Sequence, residues 1–295
     1  MTTKEKRDHI MNIAWIGTGI MGTAMLSHLH EAGHQLHLYN RTEEKARQLE
    51  QNGVTAFSSI GECVKDCDAI FTMVGYPNDV EEVYTQNGIF AHAKKGALLI
   101  DMTTSSPQLA ARLYEEAKTY GLHMLDAPVS GGDSGAINGT LSIMAGGDED
   151  DYQKAYPLFC CMGKEIHHMG KAGCGQHAKA ANQIAVAGAV AAMSEAIHYM
   201  RMNHLAEEEA LKVIANGAAG SWQLLHTAPK VLKNDFQPGF YIKHFIKDMK
   251  IIQNVMEEHH EHLLMLDTVC GMYEELQKNS HENDGTQALI KYYEK

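Results

Sequence analysis

The first chemical signal is four positions on one apolar stretch. Lys179, Asn182, Gln183 and Val186 stand at i, i+3, i+4 and i+7, so a helix places them on one face. A lysine followed by two amides needs a reason among Ala, Val and Ile neighbours, because burying a charge without partners is costly. One reading is a lysine snorkelling from the helix start into water. The other is a general acid at a cleft. A second lysine, Lys247, stands beside Asp248 in an aromatic setting, Phe240-Tyr241-Ile242-Lys243-His244-Phe245. By pattern alone Lys247-Asp248 reads as an ordinary surface pair.

A different chemistry is written near the start of the chain. Ile16-Gly17-Thr18-Gly19-Ile20-Met21-Gly22 follows a short apolar run and precedes an amphipathic one. A G-x-G-x-x-G loop between strand and helix suits a dinucleotide: the turn is tight, the backbone can approach a pyrophosphate, and the helix N-terminus offers N–H groups. About 20 residues further on, such a fold normally places an acid that reads the ribose hydroxyls. This chain has Asn40-Arg41-Thr42 there. Asn40 is neutral, Arg41 can pair with a phosphate and Thr42 can donate to one, so the expected cofactor is NADP, with NAD possible. Arg41 also reads as a solvated loop charge, or as a plane stacked on adenine.

Elements to position these groups follow from the pattern. Strands are predicted at 11–16, 35–39, 54–57, 68–74, 97–101, 123–127, 141–145 and 165–168, with helices between them. Met73, Val74 and Pro77 stand at a strand's carboxyl end, where a cofactor should lie. Thr42 and Ser58 or Ser59 are expected caps, with 43–51 helical; the hydroxyl-rich run Met102-Thr103-Thr104-Ser105-Ser106-Pro107 suits another cap. Ser130-Gly131-Gly132 opens a second glycine turn able to present backbone N–H groups to an anion. After Gly173 the strands stop, and helices are predicted at 176–202, 206–215, 222–225, 245–258 and 263–278. The expected fold is α/β: a Rossmann-type doubly wound domain followed by an all-helical C-terminal domain. The expected bounds are a flexible tail over 1–10, the α/β domain over 11–172 and the helical domain over 173–295.

Composition narrows the classes. The 295 residues are 44% hydrophobic and 21% charged, as in a globular protein, and the net charge of −12 argues against a nucleic-acid or anionic membrane surface. No apolar run approaches the roughly 20 residues of a membrane span, and the charged N-terminus does not read as a signal peptide. The six cysteines, Cys63, Cys67, Cys160, Cys161, Cys174 and Cys270, are then expected as free thiols in a cytoplasmic protein. Cys63 and Cys67 have no second pair at ligand spacing, so no metal is expected. His167-His168 reads as strand surface, and Glu257-Glu258-His259-His260-Glu261-His262 as a solvated helix end.

Taken in order, these blocks resemble the β-hydroxyacid dehydrogenase family, which includes 3-hydroxyisobutyrate dehydrogenase, tartronate semialdehyde reductase and the glyoxylate/succinic semialdehyde reductases. The resemblance covers nearly the whole chain from Met11. It rests on 17–25, 40–42, 101–104, 126–132, 173–183 and Lys247-Asp248. It implies Lys179 as the catalytic lysine, Ser130, Gly131 and Gly132 at the substrate carboxylate, Asn182 orienting substrate or lysine, and Gln183 among the substrate-binding residues. It implies Thr104 and Lys247 at the cofactor, Asp248 positioning Lys247, and a homodimer or homotetramer. The expected reaction is reversible hydride transfer between NADP(H) and a small β-hydroxyacid or its semialdehyde or keto acid. Alternatives are an imine reductase, which usually lacks the lysine, and a non-catalytic NADP-binding sensor or scaffold. Three departures bear on the substrate: Gly75-Tyr76-Pro77 replaces a Leu-Pro pair of many relatives, Asp133 sets a negative charge beside the anion turn, and Ala219-Gly220-Ser221-Trp222 is a distinctive loop expected near the cleft.

Overall fold

The computed structural model describes residues 10–294. All of the expected N-terminal tail except Ile10 lies outside the described residues. The chain divides into two compact units, Met1–Lys179 and Ala180–Lys295.

The first unit alternates β1 (Asn12–Ile16), α1 (Ile20–Glu31), β2 (Gln35–Tyr39), α2 (Glu43–Arg47), β3 (Val54–Ala56), α3 (Ile60–Val64) and β4 (Ala69–Thr72). It continues with α4 (Pro77–Thr85), α5 (Ile89–His92), β5 (Leu98–Asp101), α6 (Pro107–Thr119) and β6 (His123–Asp126). It closes with β7 (Val129–Ser130), α7 (Gly132–Ile137), β8 (Leu141–Gly146), α8 (Glu149–Met162) and β9 (Gly163–Gly170). From there α9 (Cys174–Met202) begins and crosses into the second unit. The sheet order is β3-β2-β1-β4-β5-β6-β8-β7, with β9 on β8. The strands from β3 to β6 are parallel; β8 turns antiparallel to β6.

Both faces of the sheet are buried, which is why its central strands read as unbroken apolar runs. Within β1, Ile13 and Trp15 pack on one face with Met25 and Leu29, while Ala14 and Ile16 pack on the other with Val64, Tyr84 and Leu113. Ser59 caps α3 and Ser106 caps α6 through their hydroxyls. Thr42 differs from expectation: it stands at the N-cap of α2 but accepts no capping bond, and the helix stops at Arg47 instead of 51.

The second unit holds the remainder of α9, α10 (Glu207–Ala215), a π-helical turn (Gln223–Thr227), α11 (Ala228–Leu232), α12 (Ile242–Glu258), α13 (Leu264–Lys278) and a 3₁₀ helix (Thr286–Tyr292). By length and hydropathy α9 could cross a membrane, which the sequence reading did not anticipate. In the structure its Ala187, Val190, Met193, Ile197 and Met200 build a protein core with Phe245, Met249 and Tyr273.

Candidate active site

The glycine loop leaves β1 and packs on the end of β4. Gly17 has φ +101°, and a Cβ there would lie 2.2 Å from the Met73 carbonyl oxygen. A Cβ on Gly22 would lie 2.1 Å from the Gly17 oxygen, so the start of α1 is held against the turn by the absence of a side chain. Gly19 is different: nothing stands within 4 Å of its would-be Cβ. That open side is where a phosphate would approach. Thr18 Oγ1 is buried without a hydrogen-bond partner. The first turn of α1 carries no acidic residue and its N-cap Gly19 supplies no side chain. Ile20 and Met21 complete this turn. An open groove of about 570 Å³ beside it is lined by Thr18, Gly19, Ile20 and Thr23, with Lys45 adding a cation. These residues fit a dinucleotide pyrophosphate.

The neighbouring strand ends complete the rim. Asn40 Oδ1 accepts from the Thr18 N–H at 3.0 Å, and its Nδ2 donates to the Thr42 carbonyl at 2.9 Å. Asn40 thus braces the glycine loop, a task the sequence alone did not assign. Arg41 is exposed and its Nη1 donates to Asp79 Oδ1 at 3.1 Å; Asp79 Oδ2 accepts from the Tyr76 N–H. The Val74 N–H donates to Thr103 Oγ1 at 3.0 Å, tying the β4 and β5 exits together. Pro77 opens α4, and Thr104 follows β5. Because β2, β1, β4 and β5 are adjacent and parallel, the residues at 17–22, 40–42, 73–77 and 104 gather along one edge. On β7 and α7, Ser130 leads into Gly131 (φ +134°) and Gly132 (φ +60°). Burial raises the pKa of the neighbouring Asp133.

Lys179 is placed by an anchor that the sequence reading missed. Helix α9 begins Cys174-Gly175-Gln176 and has no Ser, Thr or Asp of its own at the start. Asp126, at the end of β6, supplies the cap: Oδ1 accepts from the Gly173 N–H at 2.7 Å and Oδ2 from the Gln176 N–H at 2.8 Å. Gln176 then donates through Nε2 to the Thr103 carbonyl and accepts at Oε1 from the Ser105 N–H. The first turn of α9 is therefore fixed to the exits of β5 and β6. Lys179 follows within one turn and is 6% exposed, so it does not snorkel into bulk water. Burial pushes the Asp126 carboxyl up to about 7, aided by the charge of Asp101 and opposed by its backbone bonds to Gly173 and Gln176. Asp101 pairs in register with Asp126 across β5 and β6, and accepts from Thr72 Oγ1 and the Thr103 N–H. The signal available in sequence was a helix start with orphan N–H groups and an acid ending a strand.

In the second unit a chain of polar side chains runs between α9 and α12. Asn182 Nδ2 donates to Gln183 Oε1 at 2.8 Å. Gln183 Nε2 donates to Asp248 Oδ2 at 2.6 Å. Lys247 Nζ pairs with Asp248 Oδ1 at 3.2 Å. Gln183 and Asp248 are buried, which corrects the reading of Lys247-Asp248 as a surface pair. Both polar atoms of the Gln183 side chain are engaged within the protein.

Among the described residues no group of three or more His, Cys, Asp or Glu could hold a metal ion. All six cysteines are free; burial pushes the Cys67 thiol up to about 12 and raises the Cys63 thiol well above its usual value.

Comparison with known proteins agrees with this geometry. Residues 12–170 match the NAD binding domain of 6-phosphogluconate dehydrogenase, and residues 173–293 match the NAD-binding domain of NADP-dependent 3-hydroxyisobutyrate dehydrogenase. An uncharacterised oxidoreductase of Bacillus subtilis is 47% identical, covering 96% of this chain and 99% of its own. The 2-hydroxy-3-oxopropionate reductase of Escherichia coli is 38% identical, covering 82% of each chain. The structure of Mycobacterium tuberculosis 3-hydroxyisobutyrate dehydrogenase with L-serine superposes with a TM-score of 0.87 at 30% identity, over 96% of this chain and 98% of that one. The chain therefore belongs to the β-hydroxyacid dehydrogenase family of NAD(P)-dependent oxidoreductases.

Proposed function

We propose that this protein interconverts a small β-hydroxyacid and its semialdehyde or keto acid, with NADP(H) as the preferred cofactor and Lys179 as the general acid–base. The observation that carries the reading is the placement of Lys179: a buried lysine, in the second turn of a helix whose start is tied to the exits of β5 and β6. In open α/β sheets ligands bind at such strand exits. When bound, the nicotinamide supplies or accepts the hydride. In reduction the Lys179 ammonium gives its proton to the substrate oxygen; in oxidation the neutral amine takes it back. Before it gives that proton, the ammonium stabilises the charge developing on the oxygen. Ser130, Gly131 and Gly132 hold the substrate carboxylate, and Asn182, three residues beyond Lys179, orients the substrate. Thr104 and Lys247 contact the cofactor.

NADP preference rests on Arg41, since no acid stands at the end of β2 to repel a 2′-phosphate. Its exposed pair with Asp79 contributes little and is readily exchanged for a phosphate contact. The related proteins named for 3-hydroxyisobutyrate and 2-hydroxy-3-oxopropionate support the substrate class. Assembly as a dimer or tetramer is supported by large apolar side chains exposed on the second unit, among them Tyr199, Met202, Val213 and Leu264.

The test is Lys179→Ala, assayed with 3-hydroxyisobutyrate, L-serine and 2-hydroxy-3-oxopropionate. A fall in kcat of about a thousandfold is expected, with NADPH affinity retained. Near-wild-type turnover would sink the assignment.

A further inference from the structure

Amide side chains have two ends of nearly equal size, so only a hydrogen-bond network decides which end faces a site. Here the network has a fixed origin. Asp248 is a carboxylate paired with Lys247, and an ionised carboxylate only accepts. The Gln183 atom 2.6 Å from Asp248 Oδ2 must therefore be the NH₂ group, because two oxygens at that distance would repel. That leaves Gln183 Oε1 as an acceptor towards Asn182. The Asn182 atom 2.8 Å from it must in turn be its own NH₂. Asn182 Oδ1 is then turned away from Gln183.

We propose that Lys247, Asp248 and Gln183 form a polarity relay that locks the Asn182 amide with its oxygen, not its nitrogen, presented for the reaction. Gln183 and Asp248 are positioning residues that act through Asn182. The group that Asn182 meets is a hydrogen-bond donor, such as the hydroxyl of a hydroxyacid or the ammonium of an amino acid like serine. A carboxylate, which only accepts, finds no donor at that oxygen and is left to the turn at Ser130-Gly131-Gly132. This deepens the proposed function and rests on it for the word substrate; the relay itself rests on the three contacts alone.

Two variants separate the relay from mere packing. Gln183→Met keeps the volume but removes both ends of the bridge. Asp248→Asn reverses it: Lys247 claims the new amide oxygen, the new NH₂ faces Gln183, and both Gln183 and Asn182 must flip. Side-chain amide NMR on ¹⁵N-labelled enzyme, assigned with Asn182→Asp and Gln183→Met, reads the relay without turnover. In the wild-type protein the Asn182 NH₂ is expected to exchange with solvent at least tenfold more slowly than a free amide. Asp248→Asn should remove that protection. With 3-hydroxyisobutyrate or L-serine and NADP⁺, both variants should lose at least tenfold in kcat, and in Gln183→Met KM for NADP⁺ should stay within twofold. An unprotected Asn182 amide in the wild-type protein, or a kcat within twofold of it in folded Asp248→Asn, overturns the relay. Absence of wild-type turnover on both substrates counts against the proposed activity, and the NMR result still decides the relay.

Discussion

The glycine loop and the Asn182 relay are built on opposite requirements. The loop depends on atoms that are missing. A methyl group at Gly17 or Gly22 would collide with backbone oxygens at 2.2 and 2.1 Å, and no charge enters the argument. The relay depends on atoms that are present and on their order. Exchanging one oxygen for one nitrogen at Asp248 leaves every volume nearly unchanged and reverses the direction of two hydrogen bonds. The first region is therefore intolerant of size, and the second of polarity.

That contrast can be broken or sharpened by substitution. After the loss expected for Lys179→Ala, the next largest effect belongs to Gly22→Ala. The backbone cannot yield 1 Å without moving α1 off β1, so unfolding should cost about 2–4 kcal/mol less. Affinity for NADPH, measured by fluorescence titration, should fall at least thirtyfold. An unchanged affinity would show that size is not what the loop excludes.

Asp126→Asn probes a region that combines both requirements. The two carboxyl oxygens of Asp126 accept two backbone N–H bonds, and an amide has one oxygen to accept them. A roughly tenfold loss of kcat is expected, as the first turn of α9 loosens around Lys179. The same variant carries a pH signature. In the folded protein Asp126 keeps its proton to about pH 7, whereas unfolded aspartate loses it near 4. The folded state thus binds the extra proton between these values, and this group's contribution to stability falls as pH rises through that window. Urea midpoints from pH 4.5 to 7.5 should show a shallower decline in Asp126→Asn. A slope identical to wild type would mean that the carboxyl ionises normally.

The smallest effect expected is at the rim. Arg41→Ala should reduce the preference for NADPH over NADH by about tenfold, equivalent to one charge-assisted contact of roughly 1.4 kcal/mol, with NADH affinity little changed. Equal losses for both cofactors would instead favour the reading in which Arg41 stacks on adenine.

Much of this was legible in the chain because the requirements are local. Gly17, Gly19 and Gly22 announce a loop through spacing alone, and the strands beside it are apolar because both faces of the sheet are covered. The face shared by Lys179, Asn182 and Gln183 follows from the helical period. Lys247-Asp248 was misread because two adjacent charges look the same in sequence whether they meet water or a buried amide. Thr42 was misread as a cap for a related reason: a cap is decided by the geometry of the turn, not by the residue type alone.

Sequence by itself thus determined the cofactor loop, the α/β-then-helical order and the lysine to watch. Only tertiary structure decided what holds them. Asp126 and Gln176 are 50 residues apart and meet because β6 ends where α9 begins. Gln183 and Asp248 are 65 apart and meet because α9 and α12 share one core. Arg41 finds Asp79 across two parallel strand exits. Backbone preferences are set by near neighbours in the chain. The partner of a buried polar atom is set by whichever element packing brings within 3 Å, and no local pattern encodes that choice.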